Sequence, residues 1–266
     1  MIGQPPYLSS VLSHLKLQNT RSRFQESLSR FYERGRNAIF SVVFPFACPG
    51  CAGFLPYPDA LCESCAAGLK KIVEPLCARC GTPFPPHWKV RRCSLCKTQR
   101  SALSRTRSVY FYEGLVRQMV RAAKYRGLPR LLRFFAEQIF IAGFAFPPVD
   151  AVVAVPLHRA REWQRRFNQA RFLANEFSRL SGLPVCDCLF KKQPTAAQSS
   201  LSGIARRKNL KGAFGCVPGK EIPTSVLLID DVITTGATME ECARTLRKNG
   251  AKKVYALSIA RAVKKF

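Results

Sequence analysis

Eight of the twelve cysteines lie in four Cys-x-x-Cys pairs between residues 48 and 96. One such pair places two sulfurs on one metal ion, and two pairs complete the tetrahedron that zinc prefers. The spacing, C-x2-C-x10-C-x2-C followed by C-x2-C-x12-C-x2-C, therefore predicts two complete four-sulfur sites. Their predicted ligands are Cys48, Cys51, Cys62, Cys65, Cys77, Cys80, Cys93 and Cys96.

The segment around these cysteines is rich in proline and glycine, so it cannot form long helices or a large apolar core. A four-sulfur site is closed to water and substrate, which predicts a structural metal in place of a core. An iron–sulfur cluster is the competing interpretation, and knuckles at this spacing favour zinc. The spacing leaves open whether the quartets are sequential or crossed, and we favour the sequential arrangement. The scattered cysteines are interpreted as residues without function: Cys186, Cys188, Cys216 and Cys242.

The charge is positive along the whole chain, because 43 Lys and Arg against 16 Asp and Glu give +27. A field of this sign favours polyanions such as nucleic acid, phosphorylated small molecules or an anionic membrane surface. The chain starts without a signal-peptide pattern, and its apolar runs are too short to span a bilayer. We therefore expect a cytoplasmic protein with reduced cysteines and no transmembrane segment.

From about residue 105 onward, apolar strands alternate with amphipathic helices. The runs 151–155 and 226–229 are continuously apolar, which is typical of strands buried on both faces. This alternation predicts an α/β domain in which helices cover both faces of a parallel sheet. We expect three regions: a basic N-terminal extension of low order (1–35), a Cys-rich double zinc ribbon (36–100) and the α/β domain (101–266).

The segment 226–238, Val-Leu-Leu-Ile-Asp-Asp-Val-Ile-Thr-Thr-Gly-Ala-Thr, carries the most specific signal in the chain. An apolar strand delivers Asp230 and Asp231 to a sheet edge, and a glycine-containing loop then opens a helix. Backbone N–H groups of such a loop bind a phosphate, and threonine hydroxyls add donors. The carboxylates repel that phosphate but accept hydrogen bonds from the vicinal hydroxyls of a sugar, directly or through Mg²⁺. The segment therefore predicts a site for a ribose 5-phosphate.

The same segment resembles the phosphoribosyl-pyrophosphate (PRPP) motif of type I phosphoribosyltransferases. Together with the cysteine pairs, further motifs make the chain similar to the ComF family. These motifs are Val155-Pro-Leu-His158, Arg166-Phe-Asn-Gln169, Gln198-x-x-Leu201, Arg206-x-x-Asn209 and Gly212-Ala-Phe214. The resemblance covers about residues 38–262. It implies a type I phosphoribosyltransferase-like sheet behind a small double zinc ribbon, two structural Zn²⁺ ions, and Mg²⁺ bound with PRPP.

The resemblance also implies roles for individual residues. Asp230 and Asp231 would hold the ribose hydroxyls, and Arg159 would bind the pyrophosphate. Lys124 lies in the variable hood that selects the acceptor, so with the two aspartates it is a catalytic candidate. The stretch 193–211 resembles the flexible loop that closes over PRPP. The implied 5-phosphate loop consists of Thr234, Thr235, Gly236, Ala237 and Thr238.

Two functions compete. The first is a PRPP-binding ComF protein that acts in DNA uptake and natural transformation, handling single-stranded DNA in the cytoplasm together with other DNA-uptake proteins. Trp163 between Arg161 and Arg165 suits stacking on bases, although an ordinary solvated helix face has the same pattern. The second is a phosphoribosyltransferase of nucleobase salvage, in which a nitrogen nucleophile displaces pyrophosphate from C1 of PRPP. In a third interpretation PRPP is only a regulatory ligand. The cysteine module and the charge favour the first.

Overall fold

The computed structural model describes residues 46–55, 60–88, 90–125, 127–165, 167–192 and 209–263. Its contacts divide the chain into two compact units, Met1–Cys62 and Glu63–Phe266. The predicted N-terminal extension and most of the predicted flexible loop lie outside the described residues. The predicted region boundaries at residues 35 and 100 stay a prediction.

The described part of the first unit is a small hairpin. Strands β1 (Phe46–Ala47) and β2 (Phe54–Leu55) pair antiparallel. The chain turns between them through Cys48 and Cys51, and the Cys48 amide donates to the carbonyl of Gly53 at 2.8 Å. The hairpin thus presents two thiols from one tight turn.

The second unit contains all seven described helices and the main sheet. The helices are α1 (Glu63–Ala67), α2 (Ser94–Thr98), α3 (Gly114–Tyr125), α4 (Pro129–Ile141), α5 (Arg159–Arg165), α6 (Gln169–Ser181) and α7 (Ala237–Lys248). The strands are β3 (Arg105–Phe111), β4 (Ala151–Ala154), β5 (Leu189–Lys191), β6 (Phe214–Cys216), β7 (Ser225–Ile233) and β8 (Lys253–Arg261).

Four of these strands form one sheet in the order β3-β8-β7-β4, and every neighbouring pair is parallel. The central strand β7 is buried along both faces. Its residues Val226 and Leu228 share a core cluster with Leu246 of α7, whereas the alternate residues Leu227 and Ile229 point to the opposite face and are equally buried. Helices therefore cover both faces, and the predicted fold class of a parallel α/β sheet, preceded in the chain by a Cys-rich double zinc ribbon, is confirmed.

Helix α6 has clear start and stop signals. The side chain of Asn168 accepts hydrogen bonds from the amides of Ala170 and Arg171, which satisfies two donors of the first turn. The helix ends at Gly182, whose φ of 76° is the left-handed conformation that glycine adopts without strain. Asn168 also donates to the carbonyl of Val155 at 3.2 Å, so the same residue fixes the end of β4.

The Cys-rich part of the second unit covers the outer edge of β3. Thr106 donates its amide to the carbonyl of Arg79 at 2.7 Å, and Ile72 donates to Val109 at 2.8 Å. The β3 edge is thereby paired instead of open to another chain. Among the described residues, no helix is long and apolar enough to cross a membrane.

Candidate functional site

A cavity of about 940 Å³ lies at the carboxyl edge of the sheet, where β7 ends and α7 begins. The strand delivers Asp230 and Asp231 to it, as the sequence predicts, because the carboxyl ends of parallel strands open onto the crevice where α/β proteins bind ligands. The wall between strand and helix is the loop Thr234–Gly236. The cavity is therefore built around the segment that carries the strongest sequence signal.

The loop brings most of the predicted phosphate-binding residues to the cavity. Thr234, Gly236, Ala237 and Thr238 line it. Gly236 has a φ of 76° and stands as the N-cap of α7, so a side chain there would be strained. Thr235 does not line the cavity; its hydroxyl accepts the Ala237 amide at 3.4 Å and helps to start the helix. The helix N-terminus and the loop amides form the kind of cradle that binds phosphate.

The two aspartates have different surroundings. The Nζ of Lys124 lies 2.7 Å from Oδ2 of Asp231, and both side chains are largely buried. Oδ1 of Asp230 accepts the backbone amide of Asp231 at 2.8 Å. Burial, followed by the charge of Asp231, raises the pKa of Asp230 to about 7, although Lys124 acts in the opposite direction. One carboxylate is thus held by a cation, and the other titrates near neutral pH.

Lys124 is therefore part of the carboxylate site. Burial alone would lower its pKa, but the charge and hydrogen bond of Asp231, together with the charge of Asp230, raise the pKa above its ordinary value. The ammonium group stays protonated beside the pair.

Three cations outside the predicted set of PRPP-binding residues line this cavity: Arg161, Arg165 and Lys191. The predicted pyrophosphate anchor, Arg159, instead lines a second cavity of about 550 Å³ with His158 and Arg171. The four-residue spacing between Arg161 and Arg165 is the signal that places both on one face of a helix. Lys191 carries no such signal, because its place depends on how β5 pairs with β6. Burial, and then the charge of Arg161, lowers the pKa of Lys191.

An aromatic and basic rim lies beside the cavity. Tyr125, which is 68% exposed, lines the cavity, and the guanidinium carbon of Arg165 is 5.3 Å from the centre of its ring. Trp163, on the same helix as Arg165, is 88% exposed and covered by nothing among the described residues. Flat, exposed aromatic rings next to arginine suit stacking on bases.

The eight cysteines form two quartets in the sequential arrangement that the sequence favours. Within each set, the sulfur atoms all lie within 4.8 Å of one another. In the second quartet the Cys80 and Cys93 sulfurs are 3.7 Å apart, and the Cys93 amide donates to the Cys77 sulfur at 3.4 Å. The other four cysteines belong to neither quartet. The quartets are Cys48, Cys51, Cys62 and Cys65, and Cys77, Cys80, Cys93 and Cys96.

This donor set fits zinc. Burial alone would raise the pKa of Cys77, but amide donors from Cys80, Cys93 and Arg79 lower it to about 6. Backbone N–H groups aimed at a sulfur favour the thiolate, which is the form that binds metal. Four sulfurs close the site, so these metals are structural.

A family model described as a double zinc ribbon domain matches residues 39–98. Competence protein F from Haemophilus influenzae is 30% identical over 82% of this chain and 98% of its own length. Competence protein ComFC from Bacillus subtilis is 32% identical over 74% of this chain and 82% of its own. The DNA utilization protein YhgH from Salmonella typhi is 30% identical over 76% of this chain and 90% of its own.

Solved structures include a glutamine PRPP amidotransferase from Bacillus subtilis complexed with ADP and GMP. The amidotransferase is 18% identical to this chain. The match covers 49% of this chain and 26% of the amidotransferase, with a TM-score of 0.34.

Proposed function

The chain belongs to the ComF family of competence proteins, and from this premise we propose that it binds PRPP in the sheet-edge cavity and acts in DNA uptake by handling single-stranded DNA in the cytoplasm. The competence and DNA-utilization relatives support a role in the use of incoming DNA. The cavity supports the PRPP part of the proposal.

One observation carries that part: the phosphate cradle and the aspartate pair face the same cavity, and the cradle begins three residues after the pair. The loop from Thr234 supplies amides and hydroxyls for the 5-phosphate. Asp230 and Asp231 supply acceptors for the ribose diol. A ligand that spans both must carry a phosphate beside a pair of hydroxyls.

The cations on the cavity wall account for the rest of PRPP. Arg161, Arg165 and Lys191 provide positive charge for a second, strongly anionic group, the pyrophosphate. Mg²⁺ enters the proposal with that pyrophosphate, and the Asp230 carboxylate is the hard oxygen ligand that the protein offers it. Asp231 is already neutralised by Lys124.

Calorimetric titration tests this binding. PRPP should bind the wild-type protein, and Asp230→Asn combined with Asp231→Asn should abolish the heat signal. Asp187→Asn is the matched control, because this half-buried aspartate pairs with Arg171 and does not line the cavity. A site that reads the diol should also prefer ribose 5-phosphate to 2-deoxyribose 5-phosphate, since a buried acceptor left unpaired is costly. Equal binding of PRPP by the double variant would refute the assignment.

Turnover of PRPP is the second candidate function, and the Tyr125 ring on the cavity wall favours it as a platform for an acceptor base. In that reaction the bond from C1 to pyrophosphate breaks and a bond from C1 to the acceptor nitrogen forms. Pyrophosphate release, screened over nucleobases, is the assay. If no nucleobase stimulates the release of pyrophosphate, the protein binds PRPP without transferring its ribosyl group to a base.

The DNA part of the proposal rests on the net charge of +27 and on the exposed Trp163 beside arginines. Titration of a single-stranded oligonucleotide at several salt concentrations tests it. Each neutralised phosphate contributes about −0.7 to the slope of log K against log salt. A slope near zero would contradict a backbone-binding role.

A further inference from the structure

Arg261, the last residue of β8, contacts the second zinc quartet. Its guanidinium donates to the carbonyl of Cys80. Burial lowers the pKa of the Arg261 guanidinium, and the charges of the four cysteines of that quartet act in the opposite direction. Arg107 makes longer contacts with the same knuckle, at 3.4 Å to the carbonyls of Cys77 and Ala78.

The knuckle is fitted tightly to the sheet at this place. Gly81 has a φ of 68°, and a Cβ added there would lie 2.6 Å from the carbonyl oxygen of Thr106. A backbone carbonyl cannot move aside, so only glycine allows the approach. The knuckle cannot shift relative to β3 without breaking this contact, so the carbonyl of Cys80 that Arg261 contacts is held in place.

Among the described residues, the half-buried Arg261 has a carbonyl acceptor but no carboxylate partner. Its Nε atom is buried without a hydrogen bond, and none of the ion pairs among the described residues includes it. A cation partly removed from water is costly without a counter-charge. Zinc bound by four thiolates has a formal charge of −2, so the metal-loaded quartet supplies the missing counter-charge.

The backbone of Arg261 connects this contact to the phosphate loop. The amide of Tyr112 donates to the Arg261 carbonyl at 2.8 Å, and the next residue, Ala262, donates to the Ile233 carbonyl at 2.9 Å. Ile233 is the last residue of β7, directly before Thr234. The end of β8 therefore contacts the zinc knuckle through a side chain and the base of the phosphate loop through the backbone.

We propose that Arg261 is a positioning residue that provides the counter-charge for the second zinc quartet and couples its occupancy to the phosphate loop. The coupling half rests on the proposed PRPP binding. Because coupling between two sites is reciprocal, zinc in the second quartet strengthens PRPP binding, and PRPP slows the release of that zinc.

Three variants of the full, zinc-loaded chain test the proposal. Arg261→Met removes the charge, Arg261→Lys keeps the charge without the planar fork, and Arg107→Met is the matched control on the neighbouring strand. Zinc release is followed with a chromogenic chelator, and PRPP affinity is measured by calorimetry. The zinc of the first quartet is the internal reference, because its release should not change.

Arg261→Met should weaken retention of one zinc ion by about 10- to 100-fold, the usual effect of losing a residue that supports metal ligands. It should also weaken PRPP binding by about 5-fold, the lower end of typical coupling. Arg261→Lys should retain zinc better than Arg261→Met, so it serves as the test if the latter does not fold. Arg107→Met should speed zinc release, and with both zinc ions still bound it should bind PRPP as tightly as the wild type does.

If Arg261→Met retains both zinc ions as the wild type does, Arg261 is not the counter-charge of the quartet. The same conclusion follows if Arg261→Lys retains zinc no better than Arg261→Met. Loss of zinc in Arg261→Met with PRPP affinity equal to that of Arg107→Met would overturn the coupling. If the wild-type chain fails to bind PRPP, the proposed function fails, while the zinc-release comparison still decides the role of Arg261.

Discussion

The ammonium group of Lys124 lies 2.7 Å from the carboxylate of Asp231. This contact joins the end of α3 to the end of β7 inside the candidate ligand cavity. Asp230 instead accepts the backbone amide of Asp231, so the two adjacent aspartates have different properties in one site.

Lys124→Met should destabilise the fold, because it leaves Asp231 as a largely buried charge without its partner. Breaking a fully buried pair costs about 3–5 kcal/mol, and the residual exposure of both side chains places this pair below that range. Urea unfolding measures the change in the free energy of unfolding.

The double variant Lys124→Met with Asp231→Asn separates the ion pair from simple packing. It should recover most of the stability lost in Lys124→Met, since neither charge is then left unpaired. If the double variant instead loses the sum of the stabilities lost in Lys124→Met and Asp231→Asn, the ion pair makes no specific contribution to stability.

Asp230 should make PRPP binding depend on pH near neutrality. Its pKa is raised to about 7 by burial and by Asp231, so below that pH it is protonated and accepts hydrogen bonds from a diol less well. Affinity should rise as the pH increases through about 7. The raised pKa also means that the contribution of Asp230 to fold stability decreases from about pH 4 to about pH 7, because ionisation is penalised in the folded state.

Calorimetry across pH 5.5–8.5 measures this dependence, and Asp230→Asn is the control. The phosphates of the ligand titrate in the same range, so the informative quantity is the ratio of wild-type to variant affinity. A ratio that stays constant across pH would show that Asp230 does not titrate in the site.

The metal content should follow the two quartets. The wild-type chain should bind two zinc ions, and Cys77→Ser should bind one, because the second quartet then has three thiolates. Cys186→Ser is the matched control and should keep both ions, since Cys186 belongs to neither quartet. Elemental analysis of the purified protein gives the ratio, and full zinc content in Cys77→Ser would contradict the assignment.

The sequence predicts the parts of the site that depend on local pattern. The run of apolar residues before Asp230 predicts a buried strand, and the glycine loop that follows predicts a helix start. One continuous segment therefore predicts the candidate phosphate cradle. The cysteine pairs are equally local. Both features are found where the pattern places them.

Contacts between distant segments could not be predicted in this way. The sequence assigned Lys124 to acceptor selection, and nothing in its local pattern predicts the ion pair that it forms with Asp231. The role of Arg159 in binding pyrophosphate stays a prediction, and the residues of the same helix that line the cavity are Arg161 and Arg165. The local sequence pattern predicts neither the strand pairing of Arg261 nor its contact with Cys80.

Trp163 should contribute to single-stranded DNA binding through stacking. The ring is 88% exposed, so Trp163→Ala should leave the fold intact and weaken binding. Base–aromatic stacking contributes about 1–3 kcal/mol per base, which corresponds to about 5- to 150-fold in affinity. Fluorescence anisotropy with a labelled oligonucleotide at fixed salt gives the dissociation constants.

Stacking and charge can be separated at this rim by the salt dependence. Trp163→Ala should weaken binding without changing the slope of log K against log salt, and Trp163→Phe should keep much of the affinity, because an aromatic face remains. Arg159→Gln, four residues before Trp163 on the same helix and outside the PRPP cavity, should instead reduce the slope by about 0.7, the contribution of one phosphate contact to a single strand. If Trp163→Ala binds the oligonucleotide as tightly as the wild type does, single-stranded DNA does not stack on this ring and binds elsewhere on the basic surface.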